Sequence, residues 1–255
     1  MRRKTADALF VVSILTFLFV PSFLCSLSAA EKSTCMKCHK KLAAGKFKHK
    51  ALDMGCSACH TGMNAGTVPH KKTNAIARGL SSEQPDLCYG CHDQGTFTKK
   101  SVHAAVSMGC TSCHDPHSSK NEKLLLSRPP ALCFTCHDKT GFTRKVAHQP
   151  VSSGDCLICH SPHATDDISL LLNRPAALCL QCHPNAGHGR HSSRQLPVSE
   201  QAEGKIQDPE LKDPLRPDRP FYCGSCHNPH GAESASLLRF NARSSKEFCL
   251  NCHKW

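Results

Sequence analysis

The stretch "CTSCHDPH" at 110–117 sets two thiols three residues apart, an imidazole directly after the second, and another imidazole three residues later. Nearly the same phrase returns as "CLICHSPH" at 156–163 and "CGSCHNPH" at 223–230. Of the 19 cysteines, all but Cys25 fall into nine C-x-x-C pairs. They are Cys35 with Cys38, Cys56 with Cys59, Cys88 with Cys91, Cys110 with Cys113, Cys133 with Cys136, Cys156 with Cys159, Cys179 with Cys182, Cys223 with Cys226, and Cys249 with Cys252. Each pair is followed at once by a histidine: His39, His60, His92, His114, His137, His160, His183, His227 and His253.

Thiols at this density bind metal, form disulfides or carry a covalent cofactor. Zinc ribbons use paired C-x-x-C, but zinc has no need of a histidine after every pair. A disulfide scaffold leaves the histidines unexplained as well. C-x-x-C-H is the attachment phrase of c-type haem. The two thiols add to the vinyl groups on one porphyrin edge, and the next residue is held under the iron as its proximal ligand. Nine phrases predict nine haem c groups.

Nine further histidines lie outside the phrases: His49, His70, His103, His117, His148, His163, His188, His191 and His230. They match the number of distal ligands that nine six-coordinate irons require. His117, His163 and His230 each stand three residues past a proximal histidine, across a proline, and are expected to reach a neighbouring haem. His49, His103 and His148 stand seven or eight residues before a cysteine pair. His70 is out of step, with Met63 nearby as a competing ligand. His188 and His191 share "GHGRH", and at least one is expected to ligate.

These positions define a doublet, His … C-x-x-C-H-x-P-H … L-C-x-x-C-H, and period matters more here than propensity. A single-site segment, 31–48, precedes doublets at 49–102, 103–147, 148–187 and 188–255, the last carrying an insertion at 192–222. The insertion, rich in proline and charge, reads as a solvated loop. Pro85, Pro129 and Pro175 sit three or four residues before a cysteine, suited to a first helical position. Ser244 and Glu247 offer a capping box at the last site. Period-two strand patterns are nearly absent. The expected fold is a haem-cored multihaem cytochrome, mostly irregular with short α-helices and little or no β-sheet. Leu124 to Leu126 and Leu170 to Leu172 read as packing against porphyrin. The chain holds only 14 aromatic residues to fill a core in other ways.

Residues 1–30 read as a secretory signal peptide: basic "MRRK", an apolar run from Ala8 to Val20, then small Ser28 and Ala30 before Glu31. The run is short for a membrane span, so a retained anchor is the lesser reading. Leu24 argues against a lipoprotein site at Cys25. The predicted location is the periplasm or the outer cell surface, with no transmembrane span after cleavage. The formal charge of +12 is offset by haem propionates, to roughly +1 oxidised and about −8 reduced for the mature protein. Nucleic-acid binding gains no support from it.

The doublet resembles the doubled C-x-x-C-H multihaem cytochromes, including pentahaem donors of nitrite respiration and decahaem outer-membrane conduits. The resemblance implies ligation by the nine proximal histidines and by His117, His163 and His230. It also implies electron transfer in anaerobic or extracellular respiration. The partners would be other redox proteins: a quinone-linked donor and periplasmic or outer-membrane cytochromes. Multihaem nitrite reductases carry C-x-x-C-K at the catalytic site, and no such phrase occurs here. A nitrite- or hydroxylamine-type reductase with one open haem is the alternative, and so is a haem subunit of a larger membrane complex.

Overall fold

The computed structural model describes residues 32, 34–186, 212–213 and 215–251. The signal-peptide reading, His188, His191, Cys252, His253 and most of the insertion lie outside the described residues. No helix among the described residues is long and apolar enough to cross a membrane.

Each attachment phrase from Cys56 to Cys223 folds as one turn of helix. The histidine N–H donates to the carbonyl of the first cysteine at 2.9–3.1 Å in all seven phrases from Cys56 to Cys223. An i→i+4 bond sets residues i, i+3 and i+4 on one face, so both thiols and the imidazole point the same way. That is the mechanical reason for the spacing. The helices stay short. Asp86–Tyr89, Pro175–Leu180 and Ser245–Cys249 hold trailing sites, while Cys56–Ala58, Cys110–Ser112 and Cys156–Ile158 are single 3-10 turns. Pro175 takes the first helical position, but Pro85 stands one residue outside its helix. Pro129 precedes a 3-10 turn that begins only at Cys133. The Ser244 hydroxyl accepts from Glu247 N–H at 3.1 Å, and the Glu247 carboxylate returns to Arg243 N–H at 2.8 Å, one residue earlier than a standard box.

Strands are shorter still, and they do the stitching. Phe47–Lys48 pairs with Ser118–Ser119, Ser101–Val102 with Ala164–Thr165, and Val146–Ala147 with Gly231–Ala232, all antiparallel. In every case the residues leading into one doublet join those just past the x-P-H of the next. Two-residue ribbons are too small to stand alone. They persist because cross-links of other kinds hold the same segments.

Apolar packing is not among those cross-links. The buried hydrophobic side chains among the described residues are Ala164, Ala176, Ala232, Leu238 and Ala242. Four alanines and a leucine cannot organise a domain by area burial alone. This agrees with a fold whose interior is built on a cofactor.

The insertion departs from the solvated loop expected of it. Lys212–Asp213 pairs with Arg216–Pro220, and the Asp213 carboxylate is buried at 1% exposure. Arg216 holds it at 2.6 and 2.8 Å, and Arg239 reaches it at 3.3 Å. The same guanidinium groups donate to the Gly224 carbonyl at 2.8 Å and the Ser225 carbonyl at 3.0 Å, inside the Cys223 phrase. Burial pushes the Asp213 carboxyl up, but hydrogen bonds from Arg216, Leu215 N–H and Ser225 hold it below the ordinary value. Proline-rich composition marked this end of the insertion as loop. A buried ion-pair knot makes it part of the frame.

Candidate haem centres

Among the described residues, histidine rings face one another in the seven pairs that follow. His39 faces His70, His60 faces His117, His92 faces His49, His114 faces His163, His137 faces His103, His160 faces His230 and His183 faces His148. Ring centroids are 5.8–6.2 Å apart, with planes 11–35° from parallel. Each pair joins one C-x-x-C-H histidine to one of the nine others.

The distance discriminates between metals. With a metal–nitrogen bond of about 2 Å, two imidazoles trans across one ion have centroids about 6.2 Å apart, and two on a tetrahedral ion about 5 Å. The observed spacing fits the trans arrangement of an iron between two axial imidazoles. Among the described residues no three or more His, Cys, Asp or Glu side chains converge as a metal site of their own.

Backbone carbonyls fix the tautomer. Nδ1 of His49, His103 and His148 lies 2.9–3.0 Å from the carbonyl oxygens of Pro116, Pro162 and Pro229. Nδ1 of His60, His114, His160 and His227 lies 2.6–3.0 Å from the carbonyls of Arg78, Lys123, Ser169 and Ser236, and that of His70 lies 2.7 Å from Thr67 O. A carbonyl only accepts, so each Nδ1 carries the proton and each Nε2 keeps a lone pair for a metal. Arg78, Lys123 and Ser169 have φ of 58°, 55° and 54°. Each non-glycine residue in this region costs about 1–3 kcal/mol, tolerated where the surroundings hold it. Here the left-handed turn aims the carbonyl at the imidazole.

Sequence reading missed these acceptors. Their signal was the leucine triplet, expected to pack against porphyrin. In the structure its backbone acts. Leu125 and Leu171 bridge to His114 and His160, and Leu126 and Leu172 N–H donate to Cys113 and Cys159 carbonyls at 2.9 Å. The residue before the x-P-H proline has a part too. Asp115, Ser161 and Asn228 accept from the N–H of His117, His163 and His230 at 2.8, 3.2 and 3.1 Å, so a short polar side chain closes the turn.

The x-P-H histidines stand between centres. His117 faces His60 of the preceding doublet, and its carbonyl accepts from His49 N–H at 2.9 Å. His163 faces His114 and accepts likewise from His103 at 2.8 Å. Burial lowers the pKa of His117, His163 and His230, the facing histidines add to the effect, and Asp115 opposes it at His117, so the balance favours the neutral ring that binds metal. Repeat one obeys the same order despite its displaced phrase. The hairpin pairing Met63–Asn64 with Lys71–Lys72 carries His70 across to His39, while Met63 packs against Gly79.

The second thiols divide by type of site. Those of the single and trailing sites, Cys38, Cys91, Cys136 and Cys182, are exposed. Those of the leading sites, Cys59, Cys113, Cys159 and Cys226, are half-buried. The backbone explains the difference. After each leading phrase the chain folds back on the second cysteine, whose carbonyl accepts an N–H from that returning strand. Ser81 donates to Cys59 at 2.8 Å, in the place that Leu126 and Leu172 take at Cys113 and Cys159, and Arg239 donates to Cys226 at 3.0 Å. The bond within the turn is common to both kinds of site: Cys91 and Cys182 N–H donate to the Cys88 and Cys179 carbonyls at 3.1 and 3.2 Å, and Cys59, Cys113 and Cys159 N–H to the Cys56, Cys110 and Cys156 carbonyls at 3.3 Å. No disulfide joins cysteines among the described residues.

The first thiols of successive doublets also meet. Cys88 lies beside Cys110, Cys133 beside Cys156, and Cys179 beside Cys223, close enough for the thiols to shift one another's titration. Burial, then the Cys110 contact, pushes the Cys88 thiol up to about 11. Two kinds of junction therefore alternate. Between the two sites of one doublet the ligand segments touch, one of them lent by the next doublet, and from one doublet to the next the attachment edges touch.

The doubled CXXCH motif family model matches four times, at 49–97, 103–142, 148–195 and 216–255. These spans cover more than half of the chain. No curated protein matches it. Paired motifs of this kind indicate covalently bound haem c.

Proposed function

The chain belongs to the doubled C-x-x-C-H multihaem cytochromes, and from that premise we propose that it is a nonahaem electron carrier whose irons all have two histidine ligands. The observation that carries the reading is the set of seven facing imidazole pairs at trans-axial spacing. Haem c supplies an iron that changes between ferric and ferrous states, at lower potential with two histidines than with histidine and methionine. The protein's part is to attach, ligate and space. The attaching thiols are those of Cys35 and Cys38, Cys56 and Cys59, Cys88 and Cys91, Cys110 and Cys113, Cys133 and Cys136, Cys156 and Cys159, Cys179 and Cys182, Cys223 and Cys226, and Cys249 and Cys252. His39, His60, His92, His114, His137, His160, His183, His227 and His253 ligate from one side. His49, His70, His103, His117, His148, His163 and His230 ligate from the other, with His188 and His191 completing the set.

Alternating junctions support an unbranched path in chain order from the Cys56 site to the Cys223 site. A reductase needs an iron with a free or weakly held position. Repeat one was the place to expect it, and there His70 faces His39 and His117 faces His60. That favours a carrier over an enzyme. Export by residues 1–30 would put the carrier in the periplasm or on the outer surface. There it would pass electrons from a quinone-linked donor to other cytochromes in anaerobic or extracellular respiration. Intact mass spectrometry of the secreted protein tests the count. Nine haem masses above the processed polypeptide are expected, and a lower number or a zinc mass would refute it.

A further inference from the structure

Resting on the electron-carrier reading, we infer that the face around the haem attached at Cys35 and Cys38 is where a redox protein with an acidic surface docks and exchanges electrons. Charge is distributed unevenly along the chain. Between residues 32 and 80 there are ten lysines and arginines against one acid, Asp53. Between residues 81 and 186 the counts are nine and nine. Haem charge sharpens this contrast. Every haem adds the same propionates, and the first stretch carries two attachment phrases where the second carries five.

The fold gathers the basic charge on one pair of ligands. The rings of His39 and His70 face each other at 5.8 Å. Lys40 and Lys41 follow His39 in the turn Lys40–Ala43, and Lys71 and Lys72 follow His70 in the strand that closes its hairpin. Both imidazoles therefore run straight into exposed lysine pairs. The Cys88 and Cys133 sites differ at this point, where Asp93 and Asp138 follow the histidine. Eight exposed lysines lie between 37 and 72. None of the eight enters an ion pair among the described residues, and Asp53 is already held by Lys32 at 3.0 Å. Like charges gathered without partners repel one another, so the cluster costs the fold and leaves a field of one sign around this haem.

The chemistry of the face points to a protein as its occupant. Cys38, the second attaching thiol, is exposed between Lys37 and His39, which brings the haem edge to the surface. Val68, two residues before His70, is 87% exposed, and Leu42, three after His39, is 41% exposed. Apolar side chains beside the ligands, with lysines flanking them, match the apolar centre and charged rim of a protein interface. Charge placed on an iron's own ligands serves electron exchange, which a lipid surface does not perform. Complementary charge steers such encounters, raising association rates by about 10- to 1,000-fold, and the gain fades as salt screens it.

The test uses the whole ferric haem protein, with flavodoxin hydroquinone as an acidic one-electron donor. The anionic hydroquinone becomes the neutral semiquinone, and its electron reduces one ferric iron to ferrous. Stopped-flow rates are read at about 0.1 M salt, where exposed charges act over about 10 Å. The variant Lys40→Glu, Lys41→Glu, Lys71→Glu, Lys72→Glu is expected to slow about tenfold. A control with the same change in net charge, Lys99→Glu, Lys100→Glu, Lys139→Glu, Lys145→Glu, is expected to slow less than about twofold. Neutral lumiflavin semiquinone should reduce all three proteins alike, which guards against misfolding. Equal slowing in both variants, or an unslowed first variant, would overturn the docking face. A rate for the unmutated protein that stays flat as salt rises would overturn it without any variant. Phosphatidylserine vesicles that sediment the unmutated protein but not the first variant, with flavodoxin rates unchanged, would assign the lysines to a membrane and overturn it too. Failure of lumiflavin semiquinone to reduce the unmutated protein would instead refute the carrier reading beneath it.

Discussion

The two attachment sites of one doublet solve the same problem differently. In repeat two, the trailing histidine His137 faces His103, thirty-four residues earlier in its own doublet. The leading histidine His114 faces His163, which belongs to the next doublet. The trailing site closes locally, whereas the leading site closes only when a neighbour docks. The link that makes it close is small: His103 N–H on His163 O at 2.8 Å, His103 Nδ1 on Pro162 O at 2.9 Å, and the 101–102/164–165 ribbon. A single proline carbonyl orients the local ligand while the next residue supplies the distant one. Each leading site therefore takes its second ligand from the doublet that follows, which ties consecutive doublets together.

Removing a whole site should have the largest effect. Cys133→Ala with Cys136→Ala takes out the fifth group of nine. Mass spectrometry should show eight haems, and electron transfer between the two ends should slow by orders of magnitude in flash-reduction experiments. Unchanged transfer would mean that the path bypasses this site.

Next come the ligands themselves. His163→Ala should open the iron at Cys110, not the nearer-in-sequence iron at Cys156, and should expose the amides of 101–102 and 164–165 to hydrogen exchange. His103→Ala should open the iron at Cys133. Exogenous-ligand binding in crystals of both variants reads the difference, and an opened Cys156 iron in the first would break the cross-doublet rule.

The insertion knot is a separate frame with a smaller expected effect. Asp213→Asn leaves Arg216 and Arg239 without their carboxylate and should weaken the 212–225 segment by about 3 kcal/mol. Hydrogen exchange there should accelerate while all irons stay low-spin. Because the folded Asp213 pKa is depressed, the same segment should hold above the ordinary carboxylate range and loosen as pH falls through the folded value. Exchange rates flat with acidification would remove Asp213 from this role. The smallest effect belongs to Asp115→Ala, which deletes the turn cap under His117 and should cost about 1 kcal/mol, read as a small fall in thermal midpoint with unchanged spectra.

Much of this was legible in the sequence. Nine C-x-x-C-H phrases point to the attachment turns, since a helical turn at that spacing aligns two thiols and an imidazole. The supply of nine extra histidines was also plain. What could not be read was the partner of each. His117 is three residues from His114 yet faces His60, a pairing set by a two-residue ribbon whose strands leave no periodic pattern. His70 seemed misplaced because the hairpin at 63–72 inserts length without changing where its end is delivered. Nor could the phrases alone tell the covered thiols of Cys59 and Cys113 from the open ones of Cys91 and Cys182. That difference lies in the returning backbone, not in the motif. The carbonyls of Lys123 and Ser169 were hidden because a left-handed residue outside glycine has no composition signal. Asp213 was hidden because its charge and neighbouring prolines resemble a loop, while its arginine partners lie three and twenty-six residues away.

Spin state tests the central claim most directly. If, as proposed, the protein carries nine haems with two imidazoles on every iron, electron paramagnetic resonance of the fully ferric form should show low-spin iron throughout, with carbon monoxide binding little of the reduced form. About one-ninth of the iron in a high-spin signal, or one haem that takes carbon monoxide readily, would contradict the account and put an open, substrate-binding centre in its place.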